Sequence, residues 1–489
     1  MKHILGLSLI LASAIAISSG ARSINNNGTH FFTNSYMHTD ERPYPIERPG
    51  HSRAPAFGSC GESPDCRQVP HHTRMEHMMK LKMEHHAQCL AAGECPRNRP
   101  HMARVNCENG MAGNYECNNI DLLSFVPIAQ LGSTYVASDS WGWADPETGD
   151  EIAIIGLEDG TAFVQMTDAV NPIVLGFLPQ SGKNLVIWSD MKVFANHVFI
   201  VRESDSHGMQ VMDLTKLREY YGKPSGNVRQ LTQDAFYDQI TSTHNVVINE
   251  QTGFAYLVGT RTCSGGLHVV DINEPLNPTY AGCFSDDGYT HDSQCVMYHG
   301  PDSRYKDHEI CFNFNEDTLT IVDVSDKANM KMLSRVGYDQ AFYTHQGWVT
   351  EDQKYVMMND EADEVSSGNP NTRTLLWTVE DLENPMHLGS HFADTESIDH
   401  NLYIKGDLGY LANYCSGLRI LDATQMMNAK APELAFFDAC DYCDSAVFEG
   451  VWSNYPFFDS GNVVLSSVEL GLFILRPKYN QIETDMHRP

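Results

Sequence analysis

The clearest order in the chain is a set of short apolar segments that each end in an acidic residue: Met209-Gln-Val-Met-Asp213, Leu267-His-Val-Val-Asp271, Leu319-Thr-Ile-Val-Asp323 and Leu418-Arg-Ile-Leu-Asp422. Runs this short, rich in Val, Ile and Leu, read as strands buried on both faces. Weaker copies at 162–168, 375–379 and 472–476 bring the set to seven. An Asn-Pro turn follows three of them, at Asn171-Pro172, Asn277-Pro278 and Asn384-Pro385, and a further apolar strand comes after each turn. Ahead of the Asp-ended strands lie hairpins whose tips carry turn residues, at 146–149, 249–253, 406–409 and 459–461. Each unit therefore holds four short strands. Counted from Asp139, Asp190, His244, His291, His345, His400 and Glu449, the units recur roughly every 50 residues, the period of a propeller blade with long loops. The predicted fold is mainly β: a seven-bladed β-propeller over residues 105–477.

The seventh unit is one strand short, because after 472–476 no apolar strand precedes the tail at 478–489. Residues 121–128 lie ahead of the first full unit and carry the apolar pattern of a fourth strand. This N-terminal strand is expected to complete the last blade and so remove a free sheet edge.

The N-terminus has a different character. Met1-Lys2-His3 leads into an apolar run at 4–17 and then into Ser18, Ser19, Gly20 and Ala21, the order of a signal peptide over 1–21. That run is shorter than the roughly 20 residues of a membrane span, and no other stretch reaches that length. The protein is expected to be secreted and extracellular, with no membrane span. Residues 22–57 read as a flexible leader, with a glycosylation sequon at Asn27-Gly28-Thr29. Residues 58–104 form a Cys/His/Met-rich module expected to be helical and disulfide-stapled, with the helix near 70–92. Its His71, His72, His77, His85 and His86 lack the i, i+4 spacing of a helical metal site, so a solvated helix face is the expectation.

Export makes disulfides the default use of the 13 cysteines. Cys107 and Cys117 bracket one loop, and Cys295 and Cys311 fall on neighbouring strands of one hairpin, so both are candidate pairs. Cys440-Asp-Tyr-Cys443 is read as a structural disulfide. The odd total leaves at least one thiol free or intermolecular. The formal net charge of −30 argues against a nucleic-acid partner, which would require a basic patch.

Several longer motifs carry a family resemblance. They are Cys107-Glu-Asn-Gly-Met-Ala-Gly-Asn-Tyr-Glu-Cys117, Trp141-Gly-Trp-Ala-Asp-Pro-Glu-Thr-Gly149, Thr243-His-Asn-Val-Val-Ile-Asn, Tyr289-Thr-His-Asp-Ser-Gln-Cys295 and Tyr343-Thr-His-Gln-Gly-Trp348. Across about 105–476 the chain resembles the choice-of-anchor B family of secreted proteins with LVIVD-type propeller repeats. The resemblance implies the propeller fold and export, and it brings no shared catalytic activity with it.

Candidate chemistry sits where the units begin. Thr243-His244, Thr290-His291, Thr344-His345 and Asp399-His400 open four of them, and Asp190 holds the same place in the second. First strands line a propeller's axis, so these side chains should converge. Acidic residues Glu203, Asp360, Glu361 and Glu469 recur at the far end of the next strand and are expected to approach the same mouth. His244, His291, His345 and His400 are candidate ligands for a divalent metal (Zn, Mn or Ca), with Asp190, Glu203, Asp360, Glu361 and Glu469 as supporting or pocket carboxylates. No cofactor is certain from sequence. The chain has no G-x-S-x-G, H-E-x-x-H, Walker or G-x-G-x-x-G motif. The leading expectation is an extracellular binding or matrix protein that recognises a protein or glycan ligand through its loops and axial pocket. The alternative is a metal-dependent hydrolase or lyase.

Overall fold

The computed structural model describes residues 71–93, 95, 99–182, 184–204 and 207–487. The segments expected to be a signal peptide and a leader, together with Asn27, Cys60 and Cys66, lie outside the described residues.

Seven antiparallel meanders follow one another along the chain. Blade 1 begins with strand Ala137–Ala144, blade 2 with Ser189–Phe194, blade 3 with Asn245–Asn249 and blade 4 with Asp292–Met297. Blades 5, 6 and 7 begin with Thr344–Val349, Leu402–Lys405 and Val451–Tyr455. Each first strand packs against the first strand of the next blade, and the seventh packs against the first. The ring is closed, as the repeats predicted. Blade 6 is widened to six strands by Tyr115–Asn118 and Met111–Ala112.

The apolar runs are continuous because every blade is covered on both faces by its neighbours. Ile152, Ile154 and Phe163 of blade 1, for example, share one core with Met191, Val198 and Ile200 of blade 2. The acidic residue that ends each run closes a turn. Asp213 accepts a hydrogen bond from Thr215 N at 2.9 Å, Asp271 from Asn273 N at 3.0 Å, Asp323 from Ser325 N at 3.0 Å and Asp422 from Thr424 N at 2.9 Å. A carboxylate bonded two residues ahead stops the strand and turns the chain toward the fourth.

Closure is made by strand Ile120–Pro127, which pairs with Gly471–Pro477 and places Phe125 opposite Phe473. Beyond it, residues Tyr479–Met486 form a helix whose Ile482 is buried against the core between blades 6 and 7. Disulfides join Cys89 to Cys95, Cys107 to Cys117, Cys263 to Cys283 and Cys295 to Cys311. The sulfurs of Cys415, Cys440 and Cys443 crowd together, and Cys443 is within bonding reach of both others. One sulfur makes one disulfide, so one of the three remains a thiol at any moment. Among the described residues no helix is long and apolar enough to cross a membrane.

Candidate metal centre

Six blades place a hub residue after a short polar one: Ser138-Asp139, Ser189-Asp190, Thr243-His244, Thr290-His291, Thr344-His345 and Asp399-His400, all buried. Since the first strands ring the axis, equivalent side chains of adjacent blades touch. The ring centroids of His244 and His291 are 4.3 Å apart, those of His291 and His345 4.2 Å, and those of His345 and His400 4.3 Å. The four imidazoles form an unbroken arc across blades 3 to 6.

Their hydrogen bonds fix which nitrogen faces inward. His291 Nδ1 lies 2.8 Å from the His345 carbonyl, and His400 Nδ1 lies 2.5 Å from the Trp452 carbonyl. A carbonyl only accepts, so each Nδ1 carries the proton and each Nε2 presents a lone pair. His244 Nδ1 is 2.7 Å from Glu203 Oε2. His400 Nε2 lies 3.2 Å from Glu361 Oε1, and His345 Nε2 lies 3.6 Å from Glu361 Oε2. His291 Nε2 is buried with no hydrogen-bond partner among the described residues. Donor atoms of His345, Glu361 and His400 all fall within 4.8 Å of one another.

Burial, reinforced by the neighbouring imidazoles and by Lys82, holds His291 well below the ordinary imidazole range. His345 is also well below that range and His400 is lowered; burial is the main cause in both, opposed by the Glu361 charge. Neutral imidazole is the form that binds metal. Burial alone would raise the Glu361 carboxyl, but the Lys82 ammonium, the strongest of its neighbours, holds it well below its ordinary value.

The other predicted acids divide. Glu203 orients His244, and Glu361 sits between two imidazoles. Asp360 does not face the arc, because its carboxylate accepts from Tyr338 Oη and from the Phe342 and Tyr343 N–H groups, each at 2.7 Å. Asp190 is tied to Val246 N at 2.8 Å and to Lys192 Nζ at 2.6 Å. Glu469 accepts from Gly450 N at 3.0 Å and from Tyr442 Oη at 2.6 Å. Sequence reading missed Glu158 and Glu316, which follow the second strands of blades 1 and 4 as Glu203, Glu361 and Glu469 follow those of blades 2, 5 and 7. It also missed Tyr414, whose hydroxyl donates to Glu361 Oε1 at 2.8 Å.

Asp139, Asp190 and Asp292 also surround one lysine. Burial on its own would lower the Lys192 amine, yet Asp190, Asp139 and Asp292 raise it. Asp139 is pushed well up by burial and by the Asp190 charge.

The helix near 70–92, expected to be solvated, instead lies on the hub. This helix, α1 (His71–Ala92), buries Met75, Met78, Lys82 and His86 along one face, with Arg74 beside them. Lys82 Nζ reaches Glu361 Oε1 at 2.7 Å and lies 4.9 Å from the Trp452 ring centroid. His86 Nδ1 is 3.5 Å from Glu469 Oε1, and Arg74 Nη1 donates to the Glu316 carbonyl at 3.4 Å. The expectation fails for a physical reason. Buried positions at i, i+3, i+7 and i+11 mark a packed face, but two of them are basic because the partner surface is acidic.

Residues 311–337 match the family model described as LVIVD repeat. No curated protein matches the chain. Among solved structures the chain is similar to the WD40 repeats of RRP9, at 9% identity and a TM-score of 0.49 over 77% of this chain and 99% of that one. It is similar to hydrazine synthase of Kuenenia stuttgartiensis at 11% identity and a TM-score of 0.47, over 72% and 97% of the two chains. A protein from Lactobacillus plantarum follows at 13% identity and a TM-score of 0.43, over 68% and 88%. At such identities the likeness concerns the fold alone. The chain is a seven-bladed β-propeller that carries an LVIVD repeat.

Proposed function

We propose that this is a secreted protein of the choice-of-anchor B type whose hub binds one divalent transition-metal ion and serves as an extracellular hydrolase or lyase. The observation that carries the reading is the convergence of His345 Nε2 and His400 Nε2 on the Glu361 carboxylate, beside the unpartnered His291 Nε2. His400 Nε2 turns a lone pair toward the carboxylate, which is repulsive unless a cation lies between them, and His345, with no hydrogen bond at Nδ1 to commit its tautomer, can offer Nε2 to the same ion. Protonated imidazoles are disfavoured by burial, so an ion answers the geometry better. The nitrogen-rich donor set suits zinc and disfavours calcium, which takes oxygen ligands.

When bound, the ion would supply Lewis acidity and a water activated near neutral pH. The chain's own groups do the positioning. Glu203 fixes the ring of His244, and the carbonyls of His345 and Trp452 fix those of His291 and His400. Tyr414 Oη steadies Glu361. Export is supported by the disulfides and by the order of residues 1–21.

The test is elemental analysis and zinc or manganese titration of the purified full chain. One ion per chain is expected, with affinity at least 10-fold weaker in His345→Ala and in His400→Ala. Absence of ion uptake both in the wild-type chain and in Lys82→Met, with hub variants that merely melt earlier, would overturn the metal reading and leave a propeller scaffold that recognises ligands through its loops.

A further inference from the structure

We propose that α1 is an internal plug that keeps the hub latent, with the Lys82 ammonium standing where the metal's charge would stand. The inference rests on the metal reading above and adds its regulation.

The hub carboxylate has two oxygens, and one is saturated. Glu361 Oε1 takes Lys82 Nζ at 2.7 Å and Tyr414 Oη at 2.8 Å, and His400 Nε2 lies 3.2 Å away. A divalent ion held by Glu361, His345 and His400 would share that carboxylate with a buried ammonium. Two like charges at one desolvated site are mutually exclusive, so metal binding and plug insertion are alternatives. The same side chain lies over the Trp452 and Phe448 rings at 4.9 and 5.9 Å, a bed that suits an ammonium.

The rest of the helix closes the mouth. Met78 is 1% exposed and Met75 4%, both in the cluster that contains Trp188, Tyr343, Tyr414 and Trp452 from four different blades. Tyr343 Oη donates to Met75 Sδ at 3.0 Å. With α1 in place, His291, His345 and His400 are each no more than 2% exposed.

The plug is built to come out without unfolding the ring. No strand pairing ties α1 to a blade among the described residues. Its outer face carries exposed Glu76, Lys80 and Glu84, and among the described residues the disulfide at its C-terminal end, Cys89–Cys95, joins it to the segment that follows and not to a blade. Arg99, further along the connection, is anchored to Asp441, so a withdrawn helix stays tethered at the rim.

The experiment compares the full-length wild type with Lys82→Met, which keeps the packing of the stem and removes the charge, and with Met78→Asp, which expels the helix with Lys82 intact. Zinc affinity and binding rate are measured for all three, and amide hydrogen exchange of α1 is followed in the wild type with and without zinc. Both variants should bind zinc at least 10-fold tighter or faster, and zinc should deprotect α1 in the wild type while the blades stay protected. Equal zinc affinity and rate in all three, with unchanged α1 protection, would overturn the plug and leave the metal site standing. Failure of zinc to bind even Lys82→Met and Met78→Asp would overturn the metal reading itself. The exchange measurement on the wild type decides the matter if either variant misfolds.

Discussion

Ring closure by residues 120–127 has a measurable energy, and Phe125→Ala isolates it. Phe125 is fully buried, pairs across the last strand boundary with Phe473 and stacks on its ring at a centroid distance of 4.7 Å. Truncating a buried Phe costs about 3–5 kcal/mol, and the lost aromatic pair accounts for roughly 1 kcal/mol of that. Large domains shift by roughly 2 °C per kcal/mol, so a fall in Tm of about 6–10 °C is expected. Phe392→Ala is the control: this side chain is 49% exposed on an outer strand of blade 5, and its loss should move Tm by about 1 °C at most. Thermal unfolding followed by near-UV circular dichroism reads both. A parallel comparison deletes residues 118–130 in one chain and 22–57 in another, and only the first should collapse the melt. Equal melts for the two deletions, or a Phe125→Ala shift no larger than the control, would refute closure as the source of stability.

Other expectations follow from single environments. Burial pushes His268 down to about 4, and its ring nitrogens face the hydroxyls of Tyr237 and Thr262 at 2.8 and 2.9 Å. Its folded value lies below the unfolded one, so its contribution is complete above pH 6.5 and drains away as pH falls toward 4, by up to about 3 kcal/mol. In His268→Gln, Tm should lose part of its drop between pH 7 and pH 4.5; an unchanged drop contradicts the assignment. Asp438 is the opposite case: burial raises it to about 7, against the pull of the Cys440 N–H and of Arg419. Its contribution is complete below about pH 4 and is lost as pH rises through 7, so Asp438→Asn should melt higher than wild type at pH 8 and alike at pH 4. Thiol titration of the denatured, unreduced chain should register the leftover sulfur of the Cys415, Cys440 and Cys443 group. Cys440→Ser should lower that count by one, since Cys415 and Cys443 then pair with nothing left over.

The hub was legible because register carries it. Thr243-His244, Thr290-His291 and Thr344-His345 hold one position in consecutive repeats, and a closed ring turns equal positions into neighbours. Period and register cannot say what happens just beyond a strand's end. Asp360 and Glu361 are adjacent, yet the first is captured by the N–H groups of Phe342 and Tyr343 and the second faces two imidazoles. Strand alternation assigns them to opposite sides without saying which side is the axis. Cys263 and Cys283 share no hairpin register that a sequence could show, because one opens a short 3-10 turn and the other lies in an outer strand.

The helix α1 was legible but its burial was hidden, for a different reason that also explains the charge of the hub. Hydrophobic periodicity assumes that a helix buries apolar residues against an apolar core. Here the surface beneath the helix holds the buried carboxylates Glu361 and Glu469, and burying them without cations would cost more than packing returns. Lys82 and His86 meet those two acids, so the residues that look most solvated in the sequence are the ones the fold needs inside. The same accounting runs in reverse at the arc. Glu361 keeps its charge only while a cation is beside it, and if Lys82 leaves, either the carboxylate takes a proton or another cation must arrive between it and the two imidazoles. A divalent ion that arrives as Lys82 leaves lets Glu361 stay ionised, so on the plug reading it should bind most strongly as the hub opens.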